Sequence, residues 1–204
     1  MQVDRPAPGE ELNPGRPTEP RPAATVVLLR GGSERLEVLL VQRNPQARFM
    51  GGAWVFPGGA LDAAEDPRAA GVREVWEEAR VALPDGAALV PFSRWITPAQ
   101  VKIRFDTHFF LVAAPSDAAP RPDGGETVDV GWWAPAEALD AFAHGSLSLV
   151  FPTVKTLEQL AGFASADALL EWARGREVVP IEPQVVREGE VARVVLPGEP
   201  GYRA

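Results

Sequence analysis

Short apolar runs, each bounded by glycine or charged residues, recur along the chain. The run at residues 25–29 ends at the Gly31-Gly32 pair, and a second run follows at residues 36–42. Runs of this length that are rich in branched residues and separated by turn signals predict β-strands. The same pattern predicts further strands at residues 53–56, 89–94, 107–113 and 128–133.

Other segments carry helical signals. Asp66-Pro67 predicts the start of a helix, because aspartate is a favoured N-cap and proline suits the first helical position. An opening proline or apolar residues at helical spacing predict later helices at residues 135–144, 152–163 and 166–174. A sequence that mixes strands and helices in this way predicts an α/β protein with a mixed sheet and helices on its faces.

The domain organisation follows from length and composition. A chain of 204 residues with 46% apolar composition suits a single core. Residues 1–22 contain six prolines among polar residues, which predicts a disordered tail. We expect residues 23–150 to form the main domain and residues 151–204 to be an extension packed on it. The sequence predicts a hairpin at the end of this extension, formed by residues 178–186 and 191–196. The alternative interpretation is that the extension forms a lid or a dimer surface.

Charge and cysteine content exclude several classes of function. The formal net charge is −8 and the sequence pI is about 4.9, which argues against nucleic acid or an anionic membrane surface as the main partner. Cysteine is absent, so there is no disulfide framework, thiolate nucleophile or cysteine-based zinc site. A secretory signal and long apolar runs are also lacking, and a cytoplasmic location is the expectation.

The candidate chemistry lies on the helix that begins at Asp66. At about 100° per residue, Glu74, Glu77 and Glu78 share one narrow arc. Like charges at this spacing destabilise a helix unless a cation lies among them. Oxygen ligands of this kind suit Mg²⁺ or Mn²⁺. The opposite side of the helix carries apolar residues that we expect to be buried: Val72, Val75, Trp76 and Ala79.

The residues around this helix follow a known spacing. Gly59 is followed after five residues by Glu65, and after seven more by Arg73 and Glu74. The remaining positions are filled by Val75, Glu77, Glu78 and Val81. This stretch resembles the Nudix box. Arg80 stands where the pattern has a glycine, a departure that affects the expected tight turn at the helix end but not the metal ligands.

The resemblance implies a fold and a set of roles. The fold is the Nudix α/β/α sandwich with a mixed β-sheet, followed here by a C-terminal helical and hairpin extension. Glu74, Glu77, Glu78 and the Gly58 carbonyl would hold Mg²⁺ or Mn²⁺, and the three glutamates would also be catalytic. Gly59, Glu65 and Arg73 would be structural, with Arg73 paired to Glu65.

A further carboxylate precedes the strand predicted at residues 128–133. Glu126 lies where several Nudix enzymes carry an additional ligand or a general base. Since it follows Gly124-Gly125, an ordinary turn glutamate is an equally good interpretation.

Flanking stretches narrow the resemblance. Arg43-Asn44-Pro45, residues 54–62, Trp95-Ile96-Thr97-Pro98 and residues 104–110 resemble the Nudix subfamily of peroxisomal coenzyme A diphosphatases and their bacterial relatives. Guanidinium groups match phosphate in a bidentate way. The candidates for binding substrate phosphates are Arg43, Arg48, Arg94 and Arg104.

These expectations define a function. The resemblance implies metal-dependent hydrolysis of a nucleoside diphosphate linked to another moiety, with coenzyme A or acyl-coenzyme A as the preferred substrate. An ADP-ribose or NADH diphosphatase is the alternative within the same enzyme class. From a different class, the alternative is a non-catalytic Nudix-fold domain that binds nucleotides and regulates, although such domains tend to lose box glutamates. The partner is a small nucleotide, and a homodimer is considered.

Overall fold

The computed structural model describes residues 12, 13, 15–47, 49–188 and 191–203, and that part of the chain contains ten strands and four helices. The strands are β1 Arg21–Arg30, β2 Glu37–Arg43, β3 Trp54–Val55, β4 Gly58–Ala60, β5 Val90–Ile96, β6 Phe105–Ala113, β7 Thr127–Trp133, β8 Pro180–Ile181, β9 Gln184–Glu188 and β10 Val191–Val195. The helices are α1 Pro67–Ala79, α2 Pro135–Ala143, α3 Phe151–Leu160 and α4 Ala166–Ala173. Each predicted helix is present, and the ends differ from the predicted ones by a few residues.

One mixed sheet organises the domain. Its strand order is β3-β2-β1-β6-β5-β8, with β4 also paired to β1 and β7 also paired to β2. The central pair β1 and β6 is parallel, whereas β1 with β2 and β5 with β6 are antiparallel. Buried residues of β1 alternate between two cores, as the two-residue period of a strand requires.

The two cores lie on opposite faces of the sheet. Val26 and Leu28 belong to the core that includes Val75 of α1. Val27 and Leu29 belong to the core that includes Leu157 of α3 and residues of α2 and α4. The sheet therefore lies between α1 and the other three helices. This arrangement confirms the predicted Nudix-type α/β/α fold.

Strand β1 changes its antiparallel neighbour along its length. Near its end it pairs with β2, through Leu29 and Val38. Near its beginning it pairs instead with the short strand β4, where Thr25 is opposite Gly58. Because β2 and β4 occupy different halves of the same strand edge, the sheet opens between them, and the acidic residues of α1 reach this opening.

Helix α1 begins as the sequence predicts, but its buried face differs. The Asp66 side chain accepts a hydrogen bond from the Arg68 N–H at 2.8 Å, and Pro67 is the first helical residue. Glu74 and Glu78 lie within the buried stripe of the helix, while Trp76 is 50% exposed. The prediction that Trp76 is buried opposite the carboxylates is wrong, because the helix packs its small residues and these two glutamates against the sheet.

Arg80 ends α1 without the glycine of the box pattern. It adopts the left-handed conformation, with φ of 55° and ψ of 29°, and its N–H donates to the Trp76 carbonyl at 3.1 Å. Its guanidinium lies 5.8 Å from the centroid of the Trp76 ring. The tight turn therefore forms, although a side chain occupies a backbone conformation that favours glycine.

The segment before β1 differs from the disordered tail that composition predicts for residues 1–22. Leu12 forms a β-bridge with Val101, and the Thr18 hydroxyl donates to the Lys102 carbonyl at 2.9 Å. Strand β1 itself begins at Arg21, before the predicted domain start. Hydrogen bonds to the loop between β5 and β6 fix this segment, an interaction that local composition cannot indicate. Residues 1–11 and 14 lie outside the described residues.

The C-terminal part adds to both the core and the sheet. Helices α3 and α4 contribute Leu157, Leu160 and Leu169 to the core. The first strand of the predicted hairpin is divided: β8 pairs in parallel with β5, and β9 pairs with β10 as a separate two-stranded sheet. Pro183, which lies between β8 and β9, lacks a backbone N–H, and a proline is typical where strand pairing is interrupted. Within the described residues, no helix has the length and apolarity to cross a membrane.

The left-handed conformation of Arg80 yields a prediction. We expect Arg80→Gly to raise the free energy of unfolding by up to about 1 kcal/mol, because glycine adopts this conformation without steric cost. Arg80→Ala is the matched control, since it removes the contact with Trp76 but keeps a Cβ, and it should not be stabilising. Denaturant unfolding measures both. A loss of stability in Arg80→Gly as large as that in Arg80→Ala would contradict this account.

Candidate active site

A cavity of about 820 Å³ lies where the sheet opens beside α1. Its acidic end is formed by the carboxylates of α1 and the loop before β7. Its other end is largely apolar and includes residues from the C-terminal strands. The residues that line it include Arg21, Ala23, Thr25, Arg43, Phe49, Gly58, Gly59, Arg73, Glu74, Glu77, Glu78, Trp95, Phe105, Thr107, Phe109, Asp123, Glu126, Val185 and Val194.

The glycine pair of β4 allows the backbone to approach the acidic helix. The Gly58 N–H donates to Glu78 Oε2 at 3.0 Å. At Gly59, a Cβ atom would collide with the carboxylate of Glu74, so a side chain at that position would displace the glutamate. At Gly58, a Cβ would collide with Thr25 and the Ala24 carbonyl of the neighbouring strand. Backbone packing therefore requires glycine at position 58, and glycine at position 59 leaves space for the Glu74 carboxylate.

Arg73 donates hydrogen bonds to several carboxylates of the acidic cluster. Its Nε and NH2 groups donate to both carboxylate oxygens of Glu65, at 3.0 and 2.9 Å. Its NH1 group lies 2.7 Å from Glu74 Oε1 and 2.7 Å from Glu77 Oε2, and NH2 also donates to the Ala60 carbonyl. Hydrogen bonds from Arg73 lower the pKa of Glu65. The predicted pairing of Arg73 with Glu65 is present in the structure.

Two of the three box glutamates are buried, and burial governs their ionisation. Desolvation raises the pKa of Glu78 to about 7, although the Gly58 N–H lowers it. Desolvation also raises the pKa of Glu74, against the opposing effect of Arg73. Glu77 is exposed. The cluster therefore concentrates negative charge where little water is available to stabilise it.

Glu126 lies in the same cavity as the box glutamates. Burial is the main cause of the raised pKa of Glu74 and of Glu78, and the negative charge of Glu126 raises both further. The loop is fixed by the buried side chain of Thr127, whose hydroxyl donates to the Glu78 carbonyl at 2.7 Å. Asp123 in turn accepts hydrogen bonds from the backbone N–H groups of Glu126 and Thr127. Glu126 is thus held near the cluster by its own loop.

The candidate phosphate-binding arginines differ in their surroundings. Arg43 lines the cavity, and its NH1 lies 3.8 Å from Glu78 Oε1. Arg94 is engaged by Asp106 through two hydrogen bonds of 2.7 and 2.6 Å, and it is not among the residues that line the cavity. Arg48 lies outside the described residues.

Arg104 is held by hydrogen bonds to other parts of the protein. Its guanidinium is buried and donates to the carbonyls of Thr97 and Thr18 and to the Glu182 carboxylate, at 3.0, 2.7 and 2.7 Å. It does not line the cavity. Arg94 and Arg104 are thus paired with protein groups and lie outside the cavity lining, and their role in substrate binding stays a prediction.

Two features were not recognised from the sequence. Arg21 lines the cavity, although the composition of residues 1–22 predicts a disordered tail. At the start of β1, Arg21 and Pro22 are exposed and Ala23 and Ala24 are both buried, so no two-residue alternation indicated that the strand begins at Arg21. Thr127 connects the Glu126 loop to α1, and no local sequence signal indicates that contact.

The carboxylates do not form a preassembled metal centre. Among the described residues, no group of three or more His, Cys, Asp or Glu side chains is arranged to hold a metal ion. The position of Arg73 explains this, because its guanidinium binds Glu74 and Glu77 together. The donor set nevertheless consists of carboxylate oxygens, which are the ligands preferred by Mg²⁺ and Mn²⁺.

Comparisons of the sequence with known proteins agree with this geometry. The sequence model of the NUDIX domain matches residues 19–151. Human acyl-coenzyme A diphosphatase NUDT19 is 25% identical, over 94% of this chain and 82% of that protein. The putative nudix hydrolase 7 of Caenorhabditis elegans is 26% identical, over 82% of this chain and 68% of that protein. The predicted resemblance to Nudix proteins near the coenzyme A diphosphatases is confirmed.

Solved structures show the same fold. A Nudix hydrolase from Alicyclobacillus acidocaldarius superposes with a TM-score of 0.66 and 27% identity, over 76% of this chain and 96% of that chain. The Nudix domain of Shewanella oneidensis NrtR, solved with ADP-ribose, superposes with a TM-score of 0.54 and 22% identity, over 70% of this chain and 86% of that chain. With the box residues assembled around Arg73 and the family match covering residues 19–151, the chain belongs to the Nudix family and is a Nudix hydrolase.

Proposed function

We propose that this Nudix hydrolase cleaves the diphosphate bond of coenzyme A or an acyl-coenzyme A, with Mg²⁺ or Mn²⁺ as cofactor. The observation that carries the proposal is the cluster of box carboxylates at one end of a cavity of about 820 Å³. A cavity of that size can enclose much of a nucleotide-sized molecule. The similarity to a protein named acyl-coenzyme A diphosphatase supports this choice of substrate.

The residues proposed to hold the metal are Glu74, Glu77 and Glu78, with the Gly58 carbonyl as a further ligand. Their chemistry fits, because Glu78 is a buried carboxylate with a raised pKa, and the nearest Arg43 nitrogen is 3.8 Å away. Glu74 and Glu77 would have to turn partly from Arg73 to complete the site. When bound, the divalent cation neutralises phosphate oxygens and orients the diphosphate.

The remaining residues of the acidic end would act directly on substrate and water. Arg43 faces the cavity and can bind a phosphate oxygen. Glu126 lies in the same cavity on a loop held by Asp123 and Thr127, where we propose that it accepts the proton of the attacking water. Attack of that water on phosphorus would release the two halves of the substrate as phosphate monoesters.

Two alternative functions involve the same cavity. An ADP-ribose or NADH diphosphatase would use the same carboxylates, because the box residues contact the diphosphate and metal and not the rest of the substrate. A non-catalytic regulatory domain is disfavoured by the presence of all three box glutamates, together with Glu65 and Arg73.

The products test the proposal. Incubation of the protein with coenzyme A and Mg²⁺ should yield 4′-phosphopantetheine and 3′,5′-ADP, and an acyl-coenzyme A should yield the acylated form of the first product. In ¹⁸O-water, one phosphate product should carry the label and the acyl group should not, because water attacks phosphorus. Mass spectrometry resolves these products. Much faster cleavage of ADP-ribose than of any coenzyme A species would contradict the substrate and leave the Nudix chemistry intact.

The metal assignment predicts that turnover stops in EDTA and returns with Mg²⁺ or Mn²⁺. Glu77→Gln and Glu78→Gln should each lower kcat at least about 100-fold, because each removes negative charge from the proposed metal site. Glu171→Gln is the matched control, since Glu171 is 78% exposed on α4, pairs only with Arg174 in the described structure, and lies outside the cavity. Steady-state kinetics and circular dichroism measure the effect. Undiminished turnover in chelator would exclude a metal requirement.

The general-base role predicts a particular kinetic pattern for Glu126→Gln. We expect a large loss in kcat with little change in KM, because a base acts chiefly in the transition state. Asp129→Asn, two residues into β7 and outside the cavity lining, serves as a control with the same loss of charge. Near-wild-type turnover of Glu126→Gln would assign the base role to Glu74 instead.

A further inference from the structure

The floor of the cavity is one face of two parallel strands. On β1 the lining residues are Arg21, Ala23 and Thr25, and on β6 they are the residues opposite them, Phe105, Thr107 and Phe109. Alternate residues of a strand point to the same face, so these six form a continuous surface. The middle pair, Ala23 and Thr107, has small side chains, and Ala23 is buried.

The acidic cluster is located at one end of this floor. Strand β4 runs along the first half of β1, with Gly58 opposite Thr25 and Ala60 opposite Ala23. Glu78 contacts the backbone of Gly58, and Arg73 contacts the backbone of Ala60. Measured along β1, the carboxylate of Glu78 therefore lies beside Thr25, and the guanidinium of Arg73 lies beside Ala23.

Arg21 lies beyond this cluster. At about 3.3 Å per residue, its Cα is about 13 Å from that of Thr25 and about 7 Å from that of Ala23 along the strand. Phe105 is its neighbour on β6, and the rings of Phe105 and Phe49 are 6.1 Å apart. A cation beside an aromatic surface thus marks the end of the floor opposite the box glutamates, where the exposed carboxylate of Asp62 also lines the cavity.

Arg21 differs from the other arginines of the cavity in its lack of partners. Of the other cavity arginines, Arg73 is bound to glutamates, Arg43 lies near Glu78, and the Arg80 guanidinium lies 5.8 Å from the centroid of the Trp76 ring. The side chain of Arg21 is exposed and has no hydrogen bond or ion pair with any residue that the structure describes. In a protein of net charge −8, an arginine that faces the cavity without a carboxylate partner is available to an anion from outside.

We propose that Arg21 binds the 3′-phosphate of the 3′-phospho-ADP half of coenzyme A. This inference rests on the proposed function, since it places the diphosphate at the box carboxylates. The ribose then lies over the small residues Ala23 and Thr107, and its 3′-phosphate extends toward Arg21. Phe105 offers the apolar surface that a nucleoside requires beside the phosphate. Arg21 is thus a specificity residue that distinguishes coenzyme A from nucleotides without a 3′-phosphate.

The kinetic test compares coenzyme A with 3′-dephospho-coenzyme A. The wild-type protein should have a kcat/KM about tenfold higher for coenzyme A, and Arg21→Ala should reduce this ratio to near one, because a charge-assisted hydrogen bond is lost. Arg21→Lys should retain part of the preference. Arg121→Ala removes the same charge from an exposed position outside this cavity and should keep the wild-type ratio. An unchanged ratio in Arg21→Ala would overturn the proposal.

A binding test separates this inference from the hydrolytic function. In EDTA, adenosine 3′,5′-bisphosphate should bind the wild-type protein about tenfold more tightly than AMP, and Arg21→Ala should remove the difference in Kd. Calorimetric titration measures both ligands. If coenzyme A is not hydrolysed but the bisphosphate preference depends on Arg21, the proposed function fails and the phosphate site stands. If the bisphosphate shows no preference, or the preference survives in Arg21→Ala, the phosphate site is excluded.

Discussion

The hydrogen bonds of Arg73 hold the candidate active site together. One guanidinium group joins three parts of the chain: Glu65 in the loop before α1, the Ala60 carbonyl of β4, and Glu74 and Glu77 of α1 itself. Without that cation, four neighbouring carboxylates would repel one another across a short helix and its adjacent strand. Arg73 binds both carboxylate oxygens of Glu65, whereas its NH1 group is shared between Glu74 and Glu77. The cluster is therefore stable within the fold and still carries excess negative charge.

The burial of Glu74 and Glu78 follows from the same arrangement and explains the chemistry available to the site. A carboxylate removed from water favours its protonated form unless a cation is near, and the pKa of Glu78 is raised to about 7 for this reason. The Gly58 N–H is the close donor to Glu78, and Gly59 allows Glu74 to lie against the backbone. The diglycine therefore fixes two carboxylates at positions where burial disfavours their ionised form.

Distant segments determine the shape of the cavity beyond the carboxylates. Arg104 connects the chain before β1, the loop after β5 and the segment after β8 through Thr18, Thr97 and Glu182. These connections position the strands whose residues Val185 and Val194 line the apolar end. The C-terminal part of the chain thus contributes to the wall of the cavity as well as to the core.

The sequence by itself determined the local structure and the identity of the acidic cluster. The Asp66-Pro67 start of α1, the strands and the spacing from Gly59 to Glu78 depend on short-range preferences and fixed helical geometry, so they could be predicted without knowledge of the fold. Family membership followed from the same spacing.

Tertiary packing decided which side chains face the cavity. The helical arc placed Trp76 opposite the carboxylates, but packing against the sheet buried Glu74 and Glu78 and left Trp76 exposed. Arg94 and Arg104 were indistinguishable in sequence from the arginines that line the cavity, and only the folded chain pairs them with Asp106 and Glu182. Arg21 gained its position from pairing between strands far apart in the chain. Local sequence does not encode such contacts, because they depend on which segments the folded core brings together.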